Sequence, residues 1–356
     1  MKRDDKMKIT KIPGLGRFGA FVDNIDLDHI SDEEWMELGR LHLEHLVTII
    51  RAPKISYQRY AELMGQWGNP RYNILFNLYL KYGKTATELL FNNELEEDDR
   101  TALMNARYFS IDKRFPMLGR VTPKKNSRGK AMGVFGDGEL KWHSNECGNF
   151  WFSPGVSLMG YENFVGSCTG FLTTPDYYES LSESFRSELD EMVVLHNYQP
   201  EKLYPEYLGD QEGFLKNNMC VNHDGRVPLV IKSPAGIKGI HLGINTFDRI
   251  EGMSKEESDK IFATLEKGLF REEYIYDHWY QTDHDLCIFD NSITLHHRLI
   301  KDDGRMPDRV GLRIQFDYDN LAENYQPYYQ EEFNQTRNVM MGKYNLSIAD
   351  MPKHEI

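Results

Sequence analysis

The sequence predicts a mixed α+β fold that is mainly β, with a β-sandwich core and flanking helices. Short runs of β-branched and aromatic residues recur along the chain and are bounded by turn residues. Helical periodicity is concentrated at the start of the chain and in two later insertions. The chain has 356 residues, of which 40% are hydrophobic, so it can bury one large core, and we predict a single domain over 1–356.

The first elements are predicted from capping residues and apolar spacing. Ser31 and Glu34 form a capping box, and apolar residues follow at helical spacing, so a helix is predicted there. His42 lies on that helix and is expected to be a packing or surface residue rather than a metal ligand. A β-branched run at 46–51 predicts a buried strand, and Ser56 is expected to cap a second helix.

The middle of the chain is predicted to contain short strands separated by loops. Strands are expected at 118–121 and 131–135, joined by a basic turn at 124–130. A core strand is expected at 156–161. The segment 195–225 is rich in Tyr, Asn and Gly, and it is expected to form a long loop that covers the core.

The later elements are predicted from the same signals. Ser182 and Ser254 are expected to open two further helices, and Ser254 does so through a capping box. The runs 229–232 and 239–242 flank a turn and predict a hairpin. The remaining strands are predicted at 274–280, 285–289 and 311–318.

The net charge of −13 restricts the classes of partner. Broad attraction to nucleic acid or to an anionic membrane is disfavoured. No apolar run is long enough to cross a membrane, and no apolar stretch follows the basic start of the chain, so we expect a cytoplasmic protein. The cysteines show no C-x-x-C spacing and are expected to be reduced thiols; they are Cys147, Cys168, Cys220 and Cys287.

Two distant histidines are the candidate metal ligands. His143 follows a glycine-rich turn and precedes short polar side chains, and His296 lies far downstream. Non-haem iron(II) oxygenases bind the metal through two imidazoles and one carboxylate, and they leave the opposite face open for co-substrate and oxygen. The carboxylate usually stands two residues after the first histidine. This chain has Asn145 there, and a carboxylate follows one residue later at Glu146.

A pair of arginines follows the second histidine. Arg309 and Arg313 are four residues apart on a predicted strand, so both guanidinium groups can point into the same end of the fold. Arginine binds a carboxylate through two parallel hydrogen bonds and is always charged. Two imidazoles and this arginine pair fit a metal with a bound 2-oxo acid better than they fit a nucleophile triad.

These motifs resemble the taurine dioxygenase (TauD/TfdA) family of iron(II)- and 2-oxoglutarate-dependent oxygenases. The resemblance covers most of the chain and is carried by segments at 19–27, 46–51, 142–155, 166–169, 181–186 and 289–296. It implies a double-stranded β-helix (jelly roll) core with flanking helices and with the metal near one open end. The segment 321–356 matches no part of the family and is expected to be a C-terminal extension, which packs on the core or contacts another copy in a homo-oligomer.

The resemblance also implies a role for each candidate residue. His143 and His296 would hold iron(II), and Arg309 with Thr169 would bind the distal carboxylate of 2-oxoglutarate. Arg313 would either grip an anionic substrate head or support Arg309. The implied enzyme is a dioxygenase that uses iron(II), 2-oxoglutarate and oxygen, hydroxylates a small organic substrate, and releases succinate and carbon dioxide.

Asn145 stands where the family has its carboxylate, and three arrangements are open. Asn145 can coordinate through its amide oxygen, which is a neutral and weaker donor. Glu146 can swing in, which requires a β-bulge. Alternatively the third place is filled by water or chloride, as in related halogenases with a small residue there. We favour Asn145, with Glu146 second. The alternative function is a non-catalytic jelly roll that binds metal or 2-oxoglutarate, and a redox-inert sensor of 2-oxoglutarate is a third.

Three neighbours of the second histidine are expected to be structural. His297 should face away from His296 on a strand, where it would be exposed or would support the site from behind. Asp290 and Asn291 are expected to form a turn.

Overall fold

The structure is a computed structural model. It describes residues 7–68, 110–148 except 113, 114, 116 and 130, 152–197, 225–301, 304–322 and 325, together with scattered positions between 82 and 100. Most of the predicted covering loop at 195–225 and most of the C-terminal extension at 321–356 lie outside the described residues.

The described residues form a β-dominated fold with a few helices, so the prediction of a mixed, mainly β class is confirmed. The strands in chain order are β1 Lys8–Lys11, β2 Ala20–Asp23, β3 Val47–Ile50, β4 Gly119–Val121, β5 Leu140–His143, β6 Gly155–Glu162, β7 Cys168–Thr173, β8 Val193–His196, β9 Gly225–Pro228, β10 Val230–Lys232, β11 Lys238–Ile240, β12 Phe247–Ile250, β13 Ile275–Trp279, β14 Leu286–Asp290, β15 Thr294–Arg298 and β16 Val310–Phe316. The helices are α1 Asp32–His45, α2 Tyr57–Trp67, α3 Pro175–Ser180, α4 Glu183–Asp190 and α5 Lys255–Leu269.

Two sheets make up the centre of the described part. The larger has the strand order β1-β2-β3-β14-β6-β16-β4, and the smaller has the order β13-β7-β15-β5. Neighbouring strands are antiparallel except for β2 and β3, which are parallel. Two minor sheets, β12-β8-β9 and β10-β11, complete the described strands.

The two main sheets pack face to face through aromatic side chains. Phe171 of β7 lies against Phe289 of β14, with ring centroids 5.2 Å apart. Phe21 of β2 meets Tyr276 of β13 edge-to-face at 5.6 Å. Edge-to-face and tilted ring pairs contribute about 0.5–1.5 kcal/mol each beyond the area they bury. This apolar layer fills the space between the two sheets, and Phe289 also lines the cavity described below.

The helices cover the outer faces of both sheets. Trp35 of α1 and Trp67 of α2 stack at 4.4 Å in a cluster that also contains Leu312 of β16. On the other side, Leu265 of α5 packs in a cluster with Leu295 of β15. None of the helices in the described ranges has the length and apolarity that crossing a membrane requires.

The predicted helix starts are confirmed because the signals that specify them are local. The side chain of Ser31 accepts a hydrogen bond from the backbone N–H of Glu34, and the Glu34 carboxylate accepts one from the backbone N–H of Ser31. Ser254 makes the same reciprocal pair at the start of α5, and Ser56 and Ser182 cap α2 and α4. His42 is buried and bonds Tyr318, in agreement with a packing role.

Two predicted boundaries are wrong. Residues 131–135 make only isolated bridges, Val134 with Val121 and Ala131 with Lys125, instead of a strand. Phe135 has φ +52°, so the chain leaves the extended conformation there. The predicted covering loop at 195–225 begins too early, because its first residues belong to β8, which pairs with both β9 and β12.

Candidate active site

The two candidate histidines lie directly opposite each other on neighbouring strands. β5 and β15 are antiparallel, and their register pairs His143 with His296. Cross-strand partners have Cβ atoms about 4.5–5.5 Å apart. The ring centroids are accordingly 4.1 Å apart. Strand pairing therefore brings together two imidazoles that are distant in sequence.

The protonation of both rings suits metal binding. The Nδ1–H group of His143 donates to the carbonyl of Lys141 at 2.8 Å, so Nε2 keeps its lone pair. Burial lowers the pKa of His143 to about 4, although that hydrogen bond opposes the shift. Burial, with the nearby His143, lowers the pKa of His296 well below its usual value. Both rings are therefore neutral near pH 7, as ligation requires.

Asn145 lines the same cavity as the two histidines, whereas Glu146 is not among the lining residues. Asn145 is buried, and its amide Nδ2 has no hydrogen-bond partner. Glu146 follows in the left-handed region with φ +57°, which turns the chain away from the strand direction of β5. The structure thus brings together His143, Asn145 and His296 and leaves Glu146 outside that group.

The cavity has a volume of about 50 Å³ and a positive lining. Arg298, Arg309 and Arg313 line it, and no carboxylate does so among the described residues. Its walls are otherwise mostly apolar, with contributions from Phe164 and Phe289. An apolar wall strengthens the attraction between these arginines and an anion by lowering the local dielectric constant.

Arg309, which immediately precedes β16, and Arg313 of β16 both line the cavity, as their spacing predicts. Arg309 is 2% exposed, and its Nη2 donates to the carbonyl of Gly136 at 2.7 Å while Nη1 has no partner. Burial lowers the pKa of Arg309, and the nearby Asp137 opposes the shift. The guanidinium of Arg313 lies 5.0 Å from the ring centroid of Phe135, in cation–π geometry.

Thr169 also lines the cavity, from β7. Its hydroxyl donates to the phenol oxygen of Tyr280 at 3.4 Å, and both side chains are buried. The hydroxyl hydrogen can rotate toward another acceptor, so Thr169 can donate to a ligand carboxylate in the cavity.

Arg298 is a cavity residue that the sequence reasoning missed. Its guanidinium donates to three backbone carbonyls, those of Gly138 at 2.7 Å, Phe135 at 3.0 Å and Gly136 at 2.9 Å. Gly136 also accepts from Arg309, so Arg298 holds the segment on which Arg309 rests. Its position two residues after His296 on a strand was the available signal, because residues two apart share a face.

His297 also lines the cavity, beside His296 on β15. Its ring stacks on Trp142 at 3.8 Å, and its Nε2 lies 2.6 Å from a carboxylate oxygen of Asp277. Gly170 makes this possible, because a Cβ at that position would overlap the His297 ring. His297 is buried, so the prediction that it is exposed is wrong, and it lies on the cavity wall rather than facing away from His296.

Cys147 lies just after the metal-ligand candidates but is a buried structural thiol. Its Sγ is 2.9 Å from Nε2 of His241, whose Nδ1 donates to the carbonyl of Ser292 at 2.5 Å. Burial raises the pKa of Cys147 to about 12 and lowers that of His241 to about 4, so both groups are neutral. A protonated, buried thiol is unreactive.

The cavity fits a metal ion and an anionic ligand. Three buried polar atoms on its lining have no partner: Asn145 Nδ2, His296 Nδ1 and Arg309 Nη1. A buried polar atom without a partner costs about 1–3 kcal/mol, so such atoms commonly mark a ligand position. In the described ranges no three His, Cys, Asp or Glu side chains are placed to hold a metal, and the polar side chain beside the two imidazoles on the cavity wall is the Asn145 amide.

Comparisons with known proteins agree with this geometry. A solved taurine dioxygenase from Burkholderia xenovorans superimposes with a TM-score of 0.59 and 16% sequence identity over 87% of this chain and 89% of that chain. The solved structure of AAD-2 with Mn(II) and N-oxalylglycine gives a TM-score of 0.56 and 16% identity over 87% of this chain and 97% of that chain. Curated proteins give no match. The sequence model for the taurine catabolism dioxygenase TauD, TfdA family matches residues 8–314, and the chain therefore belongs to that family.

Proposed function

We propose that the chain hydroxylates a small organic substrate, with conversion of 2-oxoglutarate to succinate and carbon dioxide. As a member of its family it is a 2-oxoglutarate-dependent dioxygenase, and its cofactors are iron(II), 2-oxoglutarate and oxygen. The observation that carries the proposal is the pairing of His143 with His296, with ring centroids 4.1 Å apart on the wall of a cavity lined by arginines.

Iron(II) would be held by His143, His296 and the side chain of Asn145. The His143 tautomer leaves Nε2 as the donor atom, and Asn145 would contribute its amide oxygen. Asn145 is preferred over Glu146 as the third ligand because only Asn145 lines the cavity. A neutral amide attracts a dication less than a carboxylate does, so we expect weaker metal binding than a His-x-Asp site would have.

2-Oxoglutarate would bind with its distal carboxylate on Arg309 and Thr169. Arg309 has one unpaired Nη1 group, and its other Nη group rests on the Gly136 carbonyl. A carboxylate can therefore pair with the guanidinium without breaking the contact that positions it. Arg298 maintains this arrangement by holding the same carbonyl.

The substrate would carry an anionic head, either sulfonate, carboxylate or phosphate, bound by Arg313. The Phe135 ring lies against the Arg313 guanidinium and restricts its rotation. A taurine dioxygenase is among the similar solved structures, and taurine carries a sulfonate.

The reaction depends on a dry and ordered cavity. When bound, iron(II) and 2-oxoglutarate would activate oxygen and insert one oxygen atom into a substrate C–H bond. Phe164 and Phe289 exclude water from that position, and the neutral imidazoles of His143 and His296 offer lone pairs instead of positive charge. The chain itself supplies orientation and electrostatics in this mechanism.

The same proposal extends to the organisation of the protein. The packing of the two main sheets supports a jelly-roll winding, with 1–356 as one domain. The net charge of −13 supports a small-molecule partner in the cytoplasm rather than nucleic acid or membrane. A homo-oligomer formed through 321–356 is compatible with this arrangement.

Succinate release tests the proposed function. The purified protein, with iron(II), 2-oxoglutarate and a panel of sulfonates, carboxylates and phosphates, should release succinate in a substrate-dependent way. Asn145→Asp should bind iron(II) at least about tenfold more tightly, because a carboxylate replaces a neutral donor beside a dication. His296→Ala is the negative control and should abolish turnover.

The alternative function is a non-catalytic protein that binds metal or 2-oxoglutarate, and the absence of a carboxylate from the described cavity lining favours it. If the protein is non-catalytic, the wild-type chain should release no succinate with any substrate. The variant Asn145→Asp, which restores the carboxylate, should then consume 2-oxoglutarate. A redox-inert sensor would bind 2-oxoglutarate in calorimetry and return it unchanged. Either result would contradict the hydroxylase proposal.

A further inference from the structure

The turn between β14 and β15 contacts the loop that carries Asn145. Asn291 is the central residue of this contact and is completely buried. Its backbone N–H donates to the carbonyl of Pro154 at 2.7 Å, which fixes the turn against the far end of the same loop. The sequence predicts only a turn residue here, since nothing local indicates which segment the side chain meets.

The side-chain amide of Asn291 bonds both backbone groups of Asn145. Its Oδ1 accepts from the N–H of Asn145 at 2.9 Å, and its Nδ2 donates to the carbonyl of Asn145 at 2.9 Å. Nδ2 also donates to the carbonyl of Ser153 at 3.0 Å. The Ser144 hydroxyl adds a bond to the backbone carbonyl of Asn291 at 2.8 Å.

This pattern requires an amide side chain. An amide offers two donors and an acceptor on one planar group, whereas a carboxylate only accepts and a hydroxyl has one donor. Asn291 therefore replaces the strand partner that residues 144–145 lose where β5 ends at His143. After Asn145 the chain turns at Glu146, which has the left-handed backbone conformation. Asn145 is therefore the last residue of this segment with a backbone held by the Asn291 side chain.

We propose that Asn291 is a positioning residue that fixes Asn145 as the third metal ligand and thereby excludes Glu146 from that place. The inference rests on the proposed function for the identity of the metal site. It goes further in assigning the geometry of that site to a residue that does not line the cavity. Bonding both backbone groups of Asn145 fixes the direction of its Cα–Cβ bond, and its side chain lines the cavity that His143 and His296 share.

Metal affinity tests this role directly. Asn291→Ala removes the donors and the acceptor without adding charge. We expect cobalt(II), used as an oxygen-stable probe, to bind the variant roughly ten- to a hundredfold more weakly in calorimetry, as is typical when a group that orients a metal ligand is lost. The cobalt absorption bands should also change, because they report the arrangement of the ligands.

Thr48→Val is the matched control. It also removes a buried side-chain hydrogen bond, between Thr48 and His42 at 3.1 Å. That bond lies on the opposite side of the larger sheet, among the residues that pack on α1. The control should lower the melting temperature and leave the cobalt affinity within about twofold of wild type. A loss of affinity equal to that of Asn291→Ala would mean that general destabilisation is responsible and would overturn the proposal.

A second variant and a metal-free measurement cover the case in which Asn291→Ala fails to fold. Ser144→Ala removes the hydroxyl hydrogen that Asn291 accepts at its backbone carbonyl (2.8 Å) or at Oδ1 (3.2 Å). It should weaken cobalt binding by roughly threefold, the value expected for losing one hydrogen bond of modest strength. Without metal, the amide of Asn145 should exchange with deuterium faster in either variant than in wild type. Unchanged exchange together with unchanged affinity would overturn the proposal.

The outcomes separate this proposal from the proposed function. If wild type binds cobalt and 2-oxoglutarate but releases no succinate, the hydroxylase function fails and the positioning role of Asn291 stands on the binding data. If wild type releases succinate while Asn291→Ala binds cobalt with wild-type affinity and spectrum, the positioning role alone fails.

Discussion

Asn145 changes the charge of the site more than its shape, since Asn and Asp have nearly the same size. The described lining has three arginines, the neutral imidazoles of His143 and His296, and no carboxylate. Such a cavity attracts a dicarboxylate strongly and a dication weakly. Metal and co-substrate should therefore bind cooperatively, because the negative charge of 2-oxoglutarate replaces the missing carboxylate.

Residue types and spacings predict which side chains could bind ligands but not which ones hold those side chains in place. His143, His296, Arg309 and Arg313 stand out because metal ligation and anion binding need those side chains. Arg298 and Asn291 bond backbone atoms of distant segments, and the sequence gives no indication of which segments those are. The positioning groups thus become visible only in the folded chain.

Asp290 gives a prediction for the pH dependence of stability. Its Oδ1 accepts from the N–H groups of Ser292 and Ile293, both at 2.9 Å, while Oδ2 has no partner. Burial raises the pKa of Asp290 to about 7, although these two hydrogen bonds oppose the shift. In the unfolded chain the pKa is about 3.9. The stability from this group is therefore complete below about pH 4 and is lost as the pH rises to about 7.

Asp290→Asn keeps the acceptor and does not ionise. Wild type should lose stability as the pH rises from 4 to 8, whereas Asp290→Asn should not lose this contribution. The free energy of unfolding of the variant minus that of wild type should therefore increase by up to about 4 kcal/mol over this range. Urea unfolding of both proteins at several pH values measures the difference and cancels the contribution of the buried histidines. A difference that stays constant across this range would contradict the shifted pKa.

Helices that begin at a capping residue were predicted from the sequence, because the capping residues are close together in the chain. Strand pairings were not predicted, because they depend on residues that are far apart in the chain. Ser31 and Ser254 specify helix starts through residues three positions away, so α1 and α5 are evident in the sequence. The pairing of β5 with β15 depends on tertiary contacts, and the sequence analysis did not predict it. The strand predicted at 131–135 fails because Gly133 interrupts a short apolar run.

Gly170 on β7 tests how strongly the smaller sheet holds the ligands. A Cβ at Gly170 would overlap the ring of His297 and the carboxylate of Asp277, and displacing His297 disturbs its stack on Trp142, next to His143. We expect Gly170→Ala to lower the free energy of unfolding by roughly 1–3 kcal/mol and to weaken metal binding. Thermal unfolding and cobalt calorimetry measure the two effects.

Gly119→Ala is the control for that substitution, because it also adds a methyl group to a strand glycine. The nearest atom to its new Cβ would be the carbonyl oxygen of Arg313 at 3.8 Å, an ordinary contact. It should leave stability within about 0.5 kcal/mol of wild type. Equal effects of both substitutions would mean that the crowding around His297 is unimportant.

At the scale of the whole molecule, ligand binding should stabilise the fold. Manganese(II) with N-oxalylglycine imitates iron(II) with 2-oxoglutarate but does not react. At a hundredfold excess over its dissociation constant a ligand adds about 2.7 kcal/mol to the free energy of unfolding. We expect a rise in melting temperature with both compounds and a smaller rise with either alone. His296→Ala should show no rise with manganese(II) alone, because it lacks one of the two imidazoles. Additive effects of the two compounds would contradict the cooperativity inferred from the cavity charge.

The opposition of His143 and His296 on β5 and β15 has a consequence for the lifetime of the protein. An ion shared by these strands acts as a cross-link that closes a very long loop of chain, and cross-links of this kind restrict the unfolded state most. In a cell that lacks iron, the protein would then lose stability as well as activity. The empty protein would open more often along this seam, and proteases would remove it faster than its loaded form.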